Sequence, residues 1–280
     1  MNPVWLTVMM AGLVGAVAWA WAWWRRARAV AARVVRRRRV ARPELPIVLA
    51  HGMFGFDAVE FRGRKYEYFR GVRTRLLKAG AEVHVVRLAP VGSVKARAAQ
   101  LVAHVNALDA PRVNLVAHSM GGIDARYALA RLGLDAKVAS LTTIGAPHRG
   151  TPLADVGGAV LGPRVARALR MDGVGDITTK KMAAFNRRIR DVDGVAYFSH
   201  VGALAGIVPS NLHPLLVPGF LWLRDRAGVN DGVVPSDSQA WGEVLGDVDA
   251  DHWAQVGWSK RFDAPEFYAG LLRELRGRGF

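Results

Sequence analysis

The sequence contains no cysteine among its 280 residues. Disulfides, thiolate metal sites and a cysteine nucleophile are therefore excluded, although this absence says little about the cellular compartment. Acidic residues are absent from the N-terminal part of the chain, where the first one is Glu44. Hydrophobic residues make up 51% of the chain and charged residues 22%, which is typical of a globular protein. The length is sufficient for one large α/β domain.

The net charge of +16 comes largely from one segment. Nine arginines lie within residues 25–42, and subtracting them from +16 leaves +7 for the rest of the chain. Such a surplus is ordinary for a soluble domain, so we expect no nucleic-acid partner. The arginine run directly follows an apolar segment, and this arrangement predicts binding to anionic lipid headgroups.

The apolar segment covers residues 3–24, which include no charged residue and five of the nine tryptophans. As a helix it would be ~33 Å long, enough for a hydrocarbon core of ~30 Å. Four of these tryptophans crowd its C-terminal end, where an aromatic belt is expected. We therefore predict a transmembrane anchor at 1–24 and a basic juxtamembrane linker at 25–43. The alternatives are a cleaved signal peptide, whose positively charged n-region is missing, and a buried helix or soluble arginine-rich arm.

Short apolar runs alternate with helical patterns from residue 46 onward, and we assign residues 44–280 to one folded domain. This alternation predicts a mostly parallel sheet flanked by helices. The predicted strands are 46–50, 82–88, 113–117, 138–144 and 195–198, and the predicted helices are 68–79, 94–108 and 120–132. Residues 146–193 break the alternation with irregular, Gly-rich helical sequence, which predicts a lid insertion.

Ser119 lies at the turn between a predicted strand and a predicted helix. A nucleophile elbow needs small residues two positions before and after its serine, because the turn is tight. Ala117 and Gly121 meet that requirement. The turn also places the serine hydroxyl at a helix N-terminus, where the dipole favours negative charge. We predict that Ser119 is a nucleophile; the alternative is an ordinary turn in which Ser119 only caps the helix.

A nucleophilic serine needs a general base and an acid that orients the base. In folds with a nucleophile elbow, the acid follows the serine along the chain and the histidine follows the acid. Asp231 lies in a tightly turned polar segment, and His252 is the one histidine that follows it. We predict that Asp231 orients the imidazole of His252, the general base. His148 remains an alternative base. Asp231 could instead serve only an Asx turn, in which case the weaker acid candidates are Asp225 and Asp237.

Two backbone N–H groups are predicted to form an oxyanion hole. One belongs to Met120, which follows the nucleophile, and the other to Met53 in the glycine-containing loop after the first strand. In that loop Phe54 and Phe56 are expected to face an acyl chain. His51 is expected to hold the loop in place rather than to take part in the chemistry.

Four stretches of the sequence resemble bacterial triacylglycerol lipases of the Pseudomonas and Burkholderia type. They are HGMFGFD at 51–57, AHSMGG at 117–122, TIGAPHRGT at 143–151 and NDGVVP at 230–235. The resemblance covers about residues 45 to 260 in the right order. It implies an α/β-hydrolase fold with a helical lid and a carboxylester hydrolase that acts on acyl esters or lipids through Ser119, Asp231 and His252.

The sequence lacks two features found in that family, a calcium-binding aspartate and a disulfide. The resemblance implies a structural calcium ion held by an aspartate two residues after the catalytic histidine, but Ala254 occupies that position. Some members also carry a disulfide, which this chain cannot form. We therefore predict no metal ion and no cofactor. Alternative functions are an acyltransferase on the same three residues and a catalytically silent lipid-binding module.

The charge distribution around residues 3–24 also predicts the side of the membrane. Lys and Arg near the ends of a span set its orientation, and nine arginines lie on the C-terminal side. We expect the catalytic domain on the cytoplasmic side of the cell membrane. Protease added to intact spheroplasts should therefore spare the domain until the cells are lysed, whereas digestion without lysis would place it outside.

Overall fold

The computed structural model describes residues 45–55, 58–61, 64–157, 172–207, 209–259 and 261–280, with only the backbone for 58–61 and 64–66. The predicted anchor, the basic linker and Phe56 lie outside these ranges. Among the described residues, no helix combines the length and the apolar character that crossing a bilayer requires.

The described part of the chain forms a sheet of six parallel strands in the order β4-β1-β5-β6-β7-β8, and a separate antiparallel pair, β2 and β3. The strands are β1 (Ile47–Ala50), β2 (Ala58–Phe61), β3 (Arg64–Glu67), β4 (Val83–Val86), β5 (Val113–His118), β6 (Val138–Ile144), β7 (Ala196–Gly202) and β8 (Glu243–Val248).

Helices connect the strands and cover the sheet. They are α1 (Val72–Lys78), α2 (Val94–Asn106), α3 (Met120–Arg131), α4 (Asp172–Asp176), α5 (Thr179–Arg188), α6 (Val217–Ala227), α7 (Ser236–Gln239) and α8 (Ala264–Arg278). Residues 152–157 are also helical. Short 3₁₀ turns occupy Leu134–Lys137, Pro214–Leu216 and Ala254–Val256.

Side chains of β1 alternate between the two faces of the sheet, as the two-residue period of a strand requires. Ile47 and Leu49 pack in a cluster with residues of α1 and α8. Val48 and Ala50 pack on the other face with residues of α2 and α3. The central strands β5 and β6 are buried along their whole length, which explains their apolar sequence. The result is a three-layer α/β arrangement with the carboxyl ends of the strands at one edge.

The structure confirms the predicted mostly parallel sheet flanked by helices. The helix predicted at 68–79 begins only at Val72, because Gly71 has φ 74° and interrupts the helical backbone. The β2–β3 pair, α6, β8 and α8 were not predicted. For α8 the signals were present: Asp263 accepts a hydrogen bond from Glu266 N–H, Pro265 lies in the first turn and Gly279 follows the end. Strand β8 gives no such signal because its residues are mostly exposed at the sheet edge.

The segment predicted as a lid, 146–193, contains α4, α5 and the helical residues 152–157, while 158–171 lie outside the described residues. Ile177 and Met182 of this segment pack in a cluster with Met120 and Ile123 of α3. The described parts of the insertion therefore pack against the helix that begins after Ser119.

Gly121 and Gly270 provide a matched pair of helical glycines for testing the packing of α3. A Cβ at Gly121 would lie 2.7 Å from Ala50 O and 2.8 Å from His51 O, whereas a Cβ at Gly270 would meet only Arg273 Nη2 at 3.7 Å. We expect Gly121→Ala to lower the free energy of unfolding by ~1–3 kcal/mol through overpacking. Gly270→Ala should raise it by ~0.5–1 kcal/mol. Urea denaturation measures both, and equal effects would contradict the close approach of α3 to β1.

Candidate active site

Ser119 occupies the turn between β5 and α3 with a strained backbone, φ 57° and ψ −134°. Non-glycine residues rarely adopt positive φ, and such strain is typical of functional sites. The turn is held by hydrogen bonds from Ser119 N–H to Ile144 O at 2.9 Å and from Gly122 N–H to Ser119 O at 3.0 Å. A Cβ at Gly122 would lie 2.8 Å from Ala146 Cβ. The local geometry is that of the nucleophile elbow predicted from the sequence.

Ser119, His252 and Asp231 lie in one hydrogen-bonded row. His252 Nε2 is 2.9 Å from Ser119 Oγ, and His252 Nδ1 is 2.8 Å from Asp231 Oδ2. All three residues are buried, with 8%, 6% and 0% of their surface exposed for Ser119, His252 and Asp231. Because Asp231 can only accept, Nδ1 carries the proton and Nε2 presents a lone pair to the serine hydroxyl. This is the arrangement that a general base requires.

Asp231 is held by its own loop between α6 and α7. Its Oδ1 accepts from Val233 N–H at 3.0 Å and Val234 N–H at 2.7 Å, while Oδ2 faces the imidazole. Asn230, also buried, donates to Phe220 O and accepts from Gly232 N–H. The Asx turn considered as an alternative role for Asp231 is therefore present, but it uses one carboxylate oxygen and leaves the other for His252.

Four hydrogen bonds position the backbone around His252, which follows β8. His252 N–H donates to Asp231 O at 2.9 Å. Asp251 Oδ1 accepts from Trp253 N–H and Ala254 N–H, and its Oδ2 accepts from His213 N–H. The other acid candidates lie elsewhere: Asp225 pairs with its neighbour Arg224, and the backbone of Asp237 accepts from Arg149.

The loop with the second predicted oxyanion donor lies directly against Ser119. A Cβ at Gly52 would be 2.6 Å from Ser119 Cβ, so only glycine permits this approach. Met53 packs in the cluster that contains Met120. Within the part of the chain that the structure describes, neither Met53 N–H nor Met120 N–H makes a hydrogen bond. Both groups remain available to a ligand beside the serine.

A buried ion pair, not predicted from the sequence, holds that loop. Arg97 of α2 donates to His51 O at 2.7 Å, to Ala89 O at 2.6 Å and to Asp124 Oδ2 at 2.8 Å. Both side chains of the pair are fully buried. Burial raises the pKa of Asp124 to about 7 against the opposing effect of Arg97. His51 accepts from Leu88 N–H and donates to Gly52 O, so it fixes the loop as expected.

A second group of side chains, also not predicted, contacts the Asp231 end of the row; Gln255 and His118 are buried and Tyr68 is half-buried. Gln255 Nε2 donates to Asp231 Oδ2 at 3.1 Å, and Gln255 Oε1 is 3.2 Å from His118 Nε2. His118 Nδ1 is 2.7 Å from the Tyr68 hydroxyl, which accepts from Gly52 N–H at 3.3 Å. Burial lowers the pKa of His118 well below its usual value and raises that of Tyr68, so both are neutral at pH 7.

His148 lies away from Ser119 and is not placed to act as its base. It contacts Thr143 Oγ1 at 3.0 Å and Arg126 Nη1 at 3.3 Å, and its ring stacks on Trp241. The Arg126 guanidinium lies 3.4 Å from the Trp241 ring centroid. Burial and the two nearby arginines lower the pKa of His148 well below its usual value, so this histidine is a neutral packing residue.

The residues present do not fit the calcium site that the resembled family implies. Ala254 is 1% exposed and packs with Val248 and Ala250, so an apolar methyl group fills the position of the aspartate ligand. A calcium ion needs six to eight oxygen ligands. No group of three or more histidine, aspartate or glutamate side chains among the described residues is arranged to hold a metal ion.

Comparisons with known proteins agree with the fold. No family model matches the chain. Triacylglycerol lipase 2 of Saccharomyces cerevisiae is 28% identical over 306 residues, covering 85% of this chain and 93% of the yeast protein. A triacylglycerol lipase of Pseudomonas fragi is 29% identical and covers 84% and 97%. The mature form of the lipase BlEst2 of Bacillus licheniformis superposes with a TM-score of 0.67 at 23% identity, covering 84% and 93%.

The alanine at 254 generates a prediction about stability. Because its side chain offers no oxygen, we expect EDTA to leave the Tm unchanged and added calcium to leave it unchanged as well. Differential scanning calorimetry in EDTA, in calcium and in magnesium as the ionic control measures this. A calcium-dependent rise in Tm that magnesium does not reproduce would mean that other residues build a calcium site.

Proposed function

We propose that this chain, a carboxylic ester hydrolase similar to triacylglycerol lipases, cleaves acyl esters through a covalent acyl-enzyme intermediate on Ser119. The observation that carries the proposal is the hydrogen-bonded row from Asp231 through His252 to Ser119 Oγ. A serine hydroxyl is a weak nucleophile unless an adjacent base removes its proton.

The first half of the proposed reaction acylates Ser119. His252 Nε2 takes the hydroxyl proton as Oγ attacks the ester carbonyl carbon, and the carbonyl electron pair moves onto oxygen. In the proposed reaction Met53 N–H and Met120 N–H donate to that oxyanion. The intermediate collapses when the imidazolium returns its proton to the departing alcohol oxygen, leaving the acyl group on Oγ.

The second half releases the acid. Water takes the place of the alcohol, His252 accepts one of its protons and the resulting hydroxide attacks the acyl carbon. Collapse of the second tetrahedral intermediate breaks the bond to Oγ, which regains its proton from the imidazolium. Asp231 stabilises the imidazolium in both halves while remaining ionised. Its two carboxylate oxygens accept from His252, Val233, Val234 and Gln255, so the buried charge is fully hydrogen-bonded.

The surroundings of the site favour an apolar acyl substrate. Phe54, next to the Met53 donor, is 61% exposed, and Trp253, next to His252, is 37% exposed. Both side chains follow or adjoin residues assigned to the chemistry, and their exposed apolar surface is available to an acyl chain there. Both relatives described above are named triacylglycerol lipases, which supports acylglycerols as the substrate class.

The N-terminal sequence supports a membrane location for this activity. The 22 uncharged residues of 3–24 and the nine arginines that follow favour a single span, with the arginines held against the anionic inner leaflet. A catalytic domain tethered there meets acyl chains at the membrane surface.

Replacing Ser119 by alanine tests the proposed nucleophile. We expect Ser119→Ala to lower kcat/KM for p-nitrophenyl esters by at least ~10⁴-fold, since triad members act as a unit. The Tm should stay near that of the wild type, because alanine fits the same turn. A fluorophosphonate probe should label the wild type at residue 119 and leave the variant unlabelled.

Ser140→Ala is the matched control, because Ser140 is also buried and its hydroxyl donates to Asn114 within the sheet rather than to a residue of the site. It should lose stability and keep its kcat and its probe labelling. If Ser119→Ala retained more than about a tenth of the wild-type kcat/KM, a barrier change of only ~1.4 kcal/mol, the assignment of the nucleophile would be wrong.

A further inference from the structure

We propose that Gln255 is a positioning residue that couples the two halves of the site. With His118 and Tyr68 it forms a hydrogen-bond chain that runs from Gly52 N–H, beside the oxyanion donor, to the Asp231 carboxylate; the chain is buried at its Asp231 end and half-buried at Tyr68. The inference rests on the proposed function of Ser119. It assigns to a neutral amide the task of keeping the acid, the base and the oxyanion loop in one geometry.

The orientation of the Gln255 amide is determined by its neighbours. Its Nε2 lies 3.1 Å from Asp231 Oδ2 and 3.3 Å from Ala250 O, and both of these atoms can only accept. The nitrogen must therefore be on that side, and Oε1 must face His118. Gln255 is fully buried, so no water competes for these bonds.

The amide orientation then determines every other proton in the chain. Oε1 of Gln255 only accepts, so His118 Nε2 carries the proton, and a neutral His118 presents a lone pair at Nδ1. The Tyr68 hydroxyl donates to that lone pair, which leaves its oxygen to accept from Gly52 N–H. All donors point in one direction, toward the negative charge of Asp231. Hydrogen bonds aligned in this way strengthen one another in a low-dielectric interior.

Two glycines make room for the Gln255 side chain. A Cβ at Gly145, which has φ 60°, would collide with Gln255 Oε1, and a Cβ at Gly202 would collide with Gln255 Nε2. The same Cβ atoms would lie 3.3 Å from Asp231 Oδ2 at both positions. The ends of β6 and β7 are thus shaped around the contact between the amide and the carboxylate.

The neutral state of His118 matters for the general base, His252. The His118 ring lies 4.6 Å from the His252 ring, centroid to centroid, at an angle of 46°. A positive charge on His118 would repel the imidazolium that forms on His252 during catalysis. An amide oxygen at Gln255 accepts from His118 without drawing a second proton to it, whereas a carboxylate would favour the charged form. The hydrogen-bond chain therefore orients the groups of the site and keeps a competing positive charge away from His252.

Gln255→Glu is the first test, because a carboxylic acid of similar size can donate to Asp231 only while it is protonated. Steady-state hydrolysis of p-nitrophenyl butyrate is measured across pH for this variant and for the wild type. We expect the ratio of variant to wild-type kcat to fall as pH rises, by at least about tenfold over the range, as the new carboxylate ionises beside Asp231. A purely structural role for residue 255 predicts a ratio that does not depend on pH.

Gln255→Met and Tyr68→Phe break the chain at two separate places while preserving volume. We expect each to lower kcat by about tenfold to a hundredfold through misplacement of reacting groups, with KM within twofold of the wild type. Tyr68→Phe keeps the test decisive if a Gln255 variant fails to fold. Ser140→Ala again controls for lost stability alone, because it removes a buried hydrogen bond outside the site.

The outcomes separate this inference from the proposed function. If the wild type hydrolyses esters and Ser119→Ala does not, the function stands; wild-type kcat and pH profiles in the Gln255 and Tyr68 variants would then overturn the inference alone. If the wild type neither hydrolyses esters nor binds a fluorophosphonate, the proposed function fails and the inference fails with it. A kcat loss in Ser140→Ala as large as in Gln255→Met would assign the effect to stability.

Discussion

The buried carboxylate of Asp231 is the constraint around which the site is arranged. An ionised group without solvent exposure is tolerated only when its oxygens are hydrogen-bonded and its charge is paired. Val233 and Val234 satisfy one oxygen from within the loop, while His252 and Gln255 satisfy the other from the segment after β8. The loop, the base and the sheet edge are therefore positioned by a single charge that each of them helps to stabilise.

A second buried charge performs the corresponding task on the oxyanion side of Ser119. The Arg97–Asp124 pair is fully buried, and the guanidinium donates to the carbonyl groups of His51 and Gly52 in the loop that carries Met53. The elevated pKa of Asp124 reflects the cost of burying it, a cost that Arg97 offsets only in part. Both charges converge on the start of α3, where the strained backbone of Ser119 holds the hydroxyl between them. Removing one partner of a buried ion pair lowers the stability of a protein far more than replacing both partners by apolar residues. The pair therefore holds this part of the site rigidly.

The parts of this arrangement that could be predicted from the sequence are local. The elbow around Ser119 is specified by Ala117 and Gly121 within five residues, and the turn of Asp231 is specified by its neighbours. The partners of Arg97 and Gln255 lie 46 and 137 residues away at His51 and His118, distances over which spacing carries no signal. Tyr68 was predicted to begin a helix over 68–79, whereas the positive φ of Gly71 shows that the helix begins at Val72.

The two residues that follow Trp253 keep the surroundings of the general base His252 uncharged. Ala254 places a methyl group in an apolar cluster, and Gln255 places an uncharged amide against Asp231. The neighbouring carboxylate of Asp251 is turned toward the backbone N–H groups of residues 213, 253 and 254. Asp231 is thus the carboxylate in contact with the imidazole, and neutral groups occupy the positions around that contact. A proton that His252 takes up during catalysis is then stabilised by one partner, Asp231, in one geometry. The tautomer with its proton on Nδ1 and a lone pair on Nε2 facing Ser119 is therefore restored after each turnover.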